Sequence, residues 1–289
     1  MEKKSVRKFA LLFFIAVILC SLYAGYTYPS TFIGNFSFGI ATSSVASLLF
    51  LIITDINELS ITSLQIYLIS KFHSSRKVRV SMAFLFRVYA NEKYLLIENL
   101  KHGTVTPIGG VIKYYPGATN ILEKIGATSQ IEADTESYPK KYKSELRLKF
   151  SMRYFYTFLD WFYSGQHREH DPLRELDEEL FQPNSINKNE FGKIIYSKYG
   201  TFRLFSTFDS ANDYYLCHHF DIFTLHLSEA QIEIIKSAVE KSQNSQNKGE
   251  RLYWATSDEI LKGRLNNGLK LGGNVNYVHI APSPEWEST

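Results

Sequence analysis

The sequence predicts two N-terminal membrane-spanning helices followed by an α/β domain organised around one acidic helix. Three observations carry that reading. Two uncharged apolar runs lie in the first 55 residues, β-forming segments then alternate with helical periodicity, and Asp171–Leu180 gathers its acids on one side of an amphipathic stretch. At 289 residues the chain holds one ordinary domain plus a further segment. Its 32 basic against 29 acidic residues leave a net charge of +3, so the totals announce no polyanion binder. Aromatics at 15% suit a large core, a membrane or stacking on flat ligands. Cys20 and Cys217 are the only cysteines and cannot make a disulfide framework. Neither the His167/His170 pair nor the adjacent His218 and His219 has zinc-site spacing.

A basic start with Lys3, Lys4, Arg7 and Lys8 precedes an 18-residue uncharged run, Phe9–Tyr26. At about 1.5 Å per helical residue this is just long enough to cross the hydrocarbon. Thr27–Thr31 links it to a second run of 23 residues, Phe32–Thr54. A cleaved leader is the competing reading. Leu22 stands where a small residue is preferred before a cut at Ala24, and a second apolar run follows at once, so a hairpin is preferred. Lys71, Arg76, Lys77 and Arg79 flank the hairpin on the far side, whereas its loop has no base, which puts both termini in the cytoplasm. Gly39, Ser43 and Ser47 recur every four residues, with Asn35 one step earlier, as a face for helix packing within or between chains.

Residues 56–78 read as an amphipathic connector, after a transmembrane hairpin at 1–55 with spans at 9–26 and 32–54. The α/β domain then fills 79–289. Val80–Tyr89 and Tyr94–Ile97 form a hairpin across Ala90–Glu92. Lys113–Phe150 is a long glycine-containing polar stretch. Ser151–Tyr163 is mostly aromatic, chiefly core, with a minority near Arg153 and Arg168 placed to stack on bases. Ile194–Tyr199, Phe202–Phe208 and Tyr214–Thr224 read as strands, Ser228–Ser242 as a helix, and Arg251–Ile260 as a strand leading into a helix capped by Ser257. Val275–Ile280 reads as a last short strand in a tail with no stated role.

The acidic stretch organises the rest. Asp171 is a good N-cap and Pro172 suits the first helical turn, while Leu173, Leu176 and Leu180 make an apolar stripe. Glu175, Glu178 and Glu179 crowd the other side, a set that suits one hard cation such as Mg²⁺, and Arg174 reaches Glu178 across one turn. A solvated acidic face is the plainer alternative.

Arg174-Glu175-Leu176-Asp177-Glu178-Glu179 resembles the Arg-Glu-apolar-x-Glu-Glu core of the Nudix box, and Pro107-Ile108-Gly109-Gly110 resembles that family's Pro-Gly-Gly element. The resemblance implies Glu178 and Glu179 as metal ligands and Glu175 as base or further ligand. The frame of the box departs from the pattern: Gln166 stands in place of a glutamate, Asp160 and Phe181 in place of glycines. With the apolar hairpin and the strand-helix ending at Arg251–Ile260, the whole resembles the SMODS-associated Nudix proteins, the transmembrane-Nudix effectors of CBASS anti-phage defence.

That resemblance implies a degenerate Nudix domain, a mixed β-sheet sandwiched between helices with an insertion before the box helix, that senses a cyclic di- or oligonucleotide from a cognate nucleotidyltransferase (a CD-NTase). It implies a multi-pass protein of the bacterial inner membrane, assembled as a homo-oligomer in the lipid bilayer and disrupting it. No cofactor is required on this reading, although Mg²⁺ could sit at Glu178 and Glu179. Charge and ring placement near the box single out Lys113, Arg153, Trp161 and Arg168 as ligand contacts. Two alternatives stand beside it, a membrane-anchored Mg²⁺-dependent Nudix hydrolase and a non-catalytic scaffold. For the hydrolase a further carboxylate would come from Asp209, Asp213 or Glu250.

Overall fold

One long strand, β1 (Lys77–Ala90), is the axis of the sheet. Its outer residues alternate between buried and accessible, but Met82–Phe86 are buried on both faces, the signature of a strand covered from two sides. The computed structural model describes residues 17–28, 31–33, 35–37, 39–45, 61–99, 103–129, 144–182, 186–206, 208–244, 251–280 and 286–288. They fall into two units, Met1–Leu64 and Gln65–Thr289.

In the first unit the described residues are helical at 17–27 and 39–45, with short helical pieces between. No helix of the described residues is long and apolar enough to cross a membrane. Serine, threonine, glycine and asparagine dilute the apolar character of 31–45. The two-span architecture and the multi-pass location in an inner membrane are therefore corrected by the structure. Asn35, Gly39 and Ser43 are exposed and share a shallow hollow with Phe36, Ile40 and Ser44. Ser47 and the remainder of the expected spans lie outside the described residues.

In the second unit the hairpin of β1 with β2 (Lys93–Asn99) closes through Asn91 and Glu92, with φ of 50° and 61°. Two left-handed residues make a turn whose twist matches that of the flanking strands. The same edge of β1 pairs in succession with β5 (Arg147–Ser151) over Lys77–Ser81 and with β3 (Thr104–Val111) over Ala83–Phe86. Along its whole opposite edge runs β7 (Tyr214–His226), parallel, from Lys77 beside Tyr214 to Val88 beside Leu225. Strand β6 (Ile195–Phe205) continues the sheet antiparallel to β7, and β8 (Leu252–Thr256) pairs with β2. The expected break at Gly200 is a bulge within one strand, since the register with β7 shifts between Lys198 and Gly200.

Three apolar clusters hold this mixed sheet between helices. The aromatic helix α3 (Phe155–Ser164), which follows α1 (Ile61–Phe72) and α2 (Thr119–Lys124), buries Phe155, Phe158, Trp161 and Phe162 against Val78, Val80 and Met82 of β1. Each such side chain contributes about 1.5–3 kcal/mol by leaving water. Leu176, Leu180 and Phe181 pack with Phe86, Val88, Ile235 and Val239 on another cluster. The third cluster seats Val275 and Val278 of a short helix, Val275–His279, where the sequence predicts a strand. Of the expected insertion, 130–143 lie outside the described residues, and the rest supplies α2, β5 and the short strand β4 (Thr128–Ser129). The helix after β8, Ser257–Lys262, is capped by Thr256 rather than Ser257: Thr256 and Glu259 exchange side-chain and backbone bonds as a capping box.

Candidate functional site

The cleft forms where β1 changes partner from β5 to β3. Alternation puts Arg79, Ser81, Ala83 and Leu85 on the open face of β1, and the parallel register sets His218 and Phe220 of β7 beside Ser81 and Ala83. Thr106–Val111 of β3 make a second wall, and Asn274 and Tyr277 of the last helix make a third. The enclosed space is about 560 Å³, within the range of small-ligand sites.

The Pro-Gly-Gly element and the acidic helix meet at one end of it. Gly109 has φ 148°, and a Cβ there would drive into the Phe84 carbonyl oxygen and stand 2.8 Å from Leu85 Cα. Only glycine lets β3 approach β1 so closely. Gly110 leaves the space that the Glu175 carboxylate fills. The Gly109 N–H donates to Glu179 Oε2 at 2.8 Å. The acidic helix, α4 (Leu173–Leu176), begins where Asp171 Oδ1 accepts from Leu173 N at 3.0 Å. It then widens into a π-turn over Asp177–Phe181, with Gln182 N donating to Asp177 O. Such turns concentrate at functional sites because they re-aim side chains.

Arg174 is the hub. Its Nε and Nη2 donate to Glu169 at 2.6 and 2.8 Å, Nη2 also reaches Glu175 and the Val111 carbonyl, and Nη1 lies 3.1 Å from Glu178 Oε1. Lys113 Nζ adds a second cation 3.6 Å from Glu178. Burial works against the Arg174 charge, yet bonds to Glu169, Glu175 and Glu178 raise its pKa above the ordinary value. Glu175 is 4% exposed, and burial pushes its carboxyl to about 7 despite Arg174, with Glu169 and Glu178 pushing the same way.

These carboxylates are thus occupied by the chain's own donors instead of facing one common point. Among the described residues no three His, Cys, Asp or Glu side chains are grouped so as to hold a metal ion.

The opposite end is basic. Arg79 and Arg147 line it, and burial together with these two arginines lowers the His218 pKa to about 4, leaving its ring neutral near pH 7. Between the two ends stands Glu145, 7% exposed, whose pKa is raised by burial against the pull of Arg147, Lys113 and Arg174.

Of the residues singled out in sequence, Glu175, Glu178 and Glu179 come together at the cleft, with Lys113 behind them at the Glu178 carboxylate. Arg153, Trp161 and Arg168 do not line it. Arg153 is exposed over the Tyr154 ring, and Trp161 lies in the core beside Phe158. Arg168 donates to the Phe162 and Glu169 carbonyls and lies over the Phe162 ring. Gln166 is exposed on a turn, and Phe181 is buried against Phe191, a place no glycine could fill. Asp209 accepts three bonds within the β6–β7 turn and Asp213 pairs with Arg76, whereas Glu250 lies outside the described residues. Sequence reasoning missed Glu169, Glu145, Arg79, Arg147 and Tyr277. Alternation along β1 gave a signal for Arg79; the others meet only through long-range pairing.

A mixed sheet with helices on its faces, and a glycine-rich strand clasping an Arg-Glu-x-x-Glu-Glu helix, defines the class: a Nudix-like domain. The family model described as the SMODS-associated NUDIX domain matches residues 77–278. The chain belongs to that family, and membership suggests an effector linked to CBASS defence. No curated protein and no solved structure shows a significant match to it.

Proposed function

We propose that the cleft is a receptor site for a cyclic di- or oligonucleotide and that this Nudix domain senses the messenger rather than hydrolysing it. One observation carries the reading: the three box glutamates are already satisfied by Arg174, Lys113 and the Gly109 N–H, while arginines stand at the far end of the same space. An anionic ligand is drawn to Arg79 and Arg147, where charge-assisted bonds to phosphate are strong and bidentate. Tyr277 and Phe220, ring centroids 5.0 Å apart, offer an aromatic wall for a base. The carboxylate end repels phosphate and so orients the ligand.

Binding the messenger changes the chain's behaviour only in so far as it favours one conformation or assembly over another. The test is equilibrium binding of the full-length chain to a panel of linear and cyclic nucleotides with Mg²⁺ present, followed by chromatography of the recovered ligand. Retention of an intact cyclic nucleotide, weakened at least tenfold in Arg79→Ala or Arg147→Ala, is the expected result. Steady turnover that is lost in Glu175→Gln would replace the receptor with a hydrolase, in which buried Glu175 is the group poised near neutral pH for proton transfer.

A further inference from the structure

Glu145 lies beside the bridge that its backbone makes with Lys113, two residues ahead of Arg147, and both side chains line the cleft. Its carboxylate is more than nine-tenths buried, yet no hydrogen-bond donor reaches Oε2; Arg147 Nε stands off at 3.7 Å. Buried acceptors are normally hydrogen-bonded, and one that is not is costly, so an oxygen with an ion-pair partner but no hydrogen bond, on a residue that lines a ligand-sized space, points to a donor arriving from outside. That donor belongs to a molecule whose phosphates suit the neighbouring arginines and whose ring suits Tyr277.

We propose that Glu145 reads the Watson–Crick edge of a guanine, so that the cleft selects cyclic nucleotides that contain this base. The inference rests on the receptor reading above. An ionised carboxylate only accepts hydrogen bonds, through two oxygens side by side. Guanine alone among the common bases presents two adjacent donors on that edge, N1–H and an N2 hydrogen. Adenine and cytosine set a ring acceptor beside their amino group, and uracil flanks its one N–H with carbonyls. Each of these sets an acceptor against a carboxylate oxygen and leaves a buried group unpaired, which is how polar sites discriminate strongly.

The experiment measures binding of cyclic di-guanylate and cyclic di-adenylate to the full-length chain and to Glu145→Gln, with thermal melts confirming that both fold. Wild type should hold the guanine ligand at least tenfold more tightly. The glutamine amide offers one acceptor and one donor, which matches adenine, so Glu145→Gln should lose at least tenfold for cyclic di-guanylate and keep or gain affinity for cyclic di-adenylate. Equal binding of both ligands by wild type, or an equal loss of both in the variant, overturns the base-reading role while leaving the receptor intact. Failure of the folded wild type to bind cyclic di-guanylate while the panel yields a ligand without guanine overturns this inference alone, and failure to bind any cyclic nucleotide of the panel removes the receptor reading with it.

Discussion

Replacing Glu175 with glutamine should stabilise the protein above neutral pH, although the residue sits at the heart of the acidic helix. Its carboxyl ionises near 7 in the folded chain against an ordinary value of 4.5. The raised value means that the folded state holds the proton more tightly than the unfolded one. Stability from this group is therefore full below about 4.5 and is lost as pH climbs to about 7. A shift of that size is equivalent to about 3 kcal/mol at most, at ~1.4 kcal/mol for each pH unit. Glutamine keeps an oxygen to accept from Arg174 but gives up the stronger charge-assisted bond, which returns about 1–2 kcal/mol of the gain. Glu175→Gln should thus be about 1–2 kcal/mol more stable than wild type at pH 8 and equal or slightly less stable at pH 5. Urea unfolding of the full-length chain at four pH values, with slopes compared to verify that the exposed surface is unchanged, measures the difference. A variant destabilised to the same degree at pH 8 and pH 5 would refute the assignment of burial as the dominant influence on Glu175.

Arg174→Met strips three carboxylates of their common partner, two of them almost fully buried, and should cost about 3–5 kcal/mol at pH 8, with part regained on acidification as the glutamates protonate. Gly109→Ala forces a Cβ onto the β1 backbone at φ 148° and should lower the melting temperature far more than Gly126→Ala, where φ is 64° and a side chain meets open space. Thr256→Ala removes the side-chain half of the capping box and should cost about 1 kcal/mol in urea unfolding. Arg147→Ala should weaken nucleotide binding and flatten its salt dependence, and an unchanged salt slope would show that Arg147 does not meet phosphate.

Much was legible in the residues themselves because local rules govern it. The stripe of Leu173, Leu176 and Leu180 packs inward as its helical spacing demands, Asp171 caps the turn, and Arg174 meets Glu178 one turn on. Asn91 and Glu92 close a hairpin that alternation along the chain foretells. The apolar runs of the first 55 residues misled, since hydropathy counts residues, and among the described residues no helix is long and apolar enough to cross a membrane.

Most of the expected ligand contacts lie away from the cleft for a related reason. Trp161 and Arg168 are near the box in sequence, but α3 turns its rings into the core and Arg168 spends its donors on backbone carbonyls. What the sequence alone determined is the acidic helix, the glycine pair and the central hairpin, because each is fixed by neighbours within a few residues. Tertiary structure decided that Glu175 is buried with its carboxyl pushed up to about 7, and that Arg79, Glu145, Arg147 and Tyr277 share one space. Burial, field and enclosure depend on strands paired across long stretches of chain, and pairing of that kind leaves no mark on any short stretch of residues.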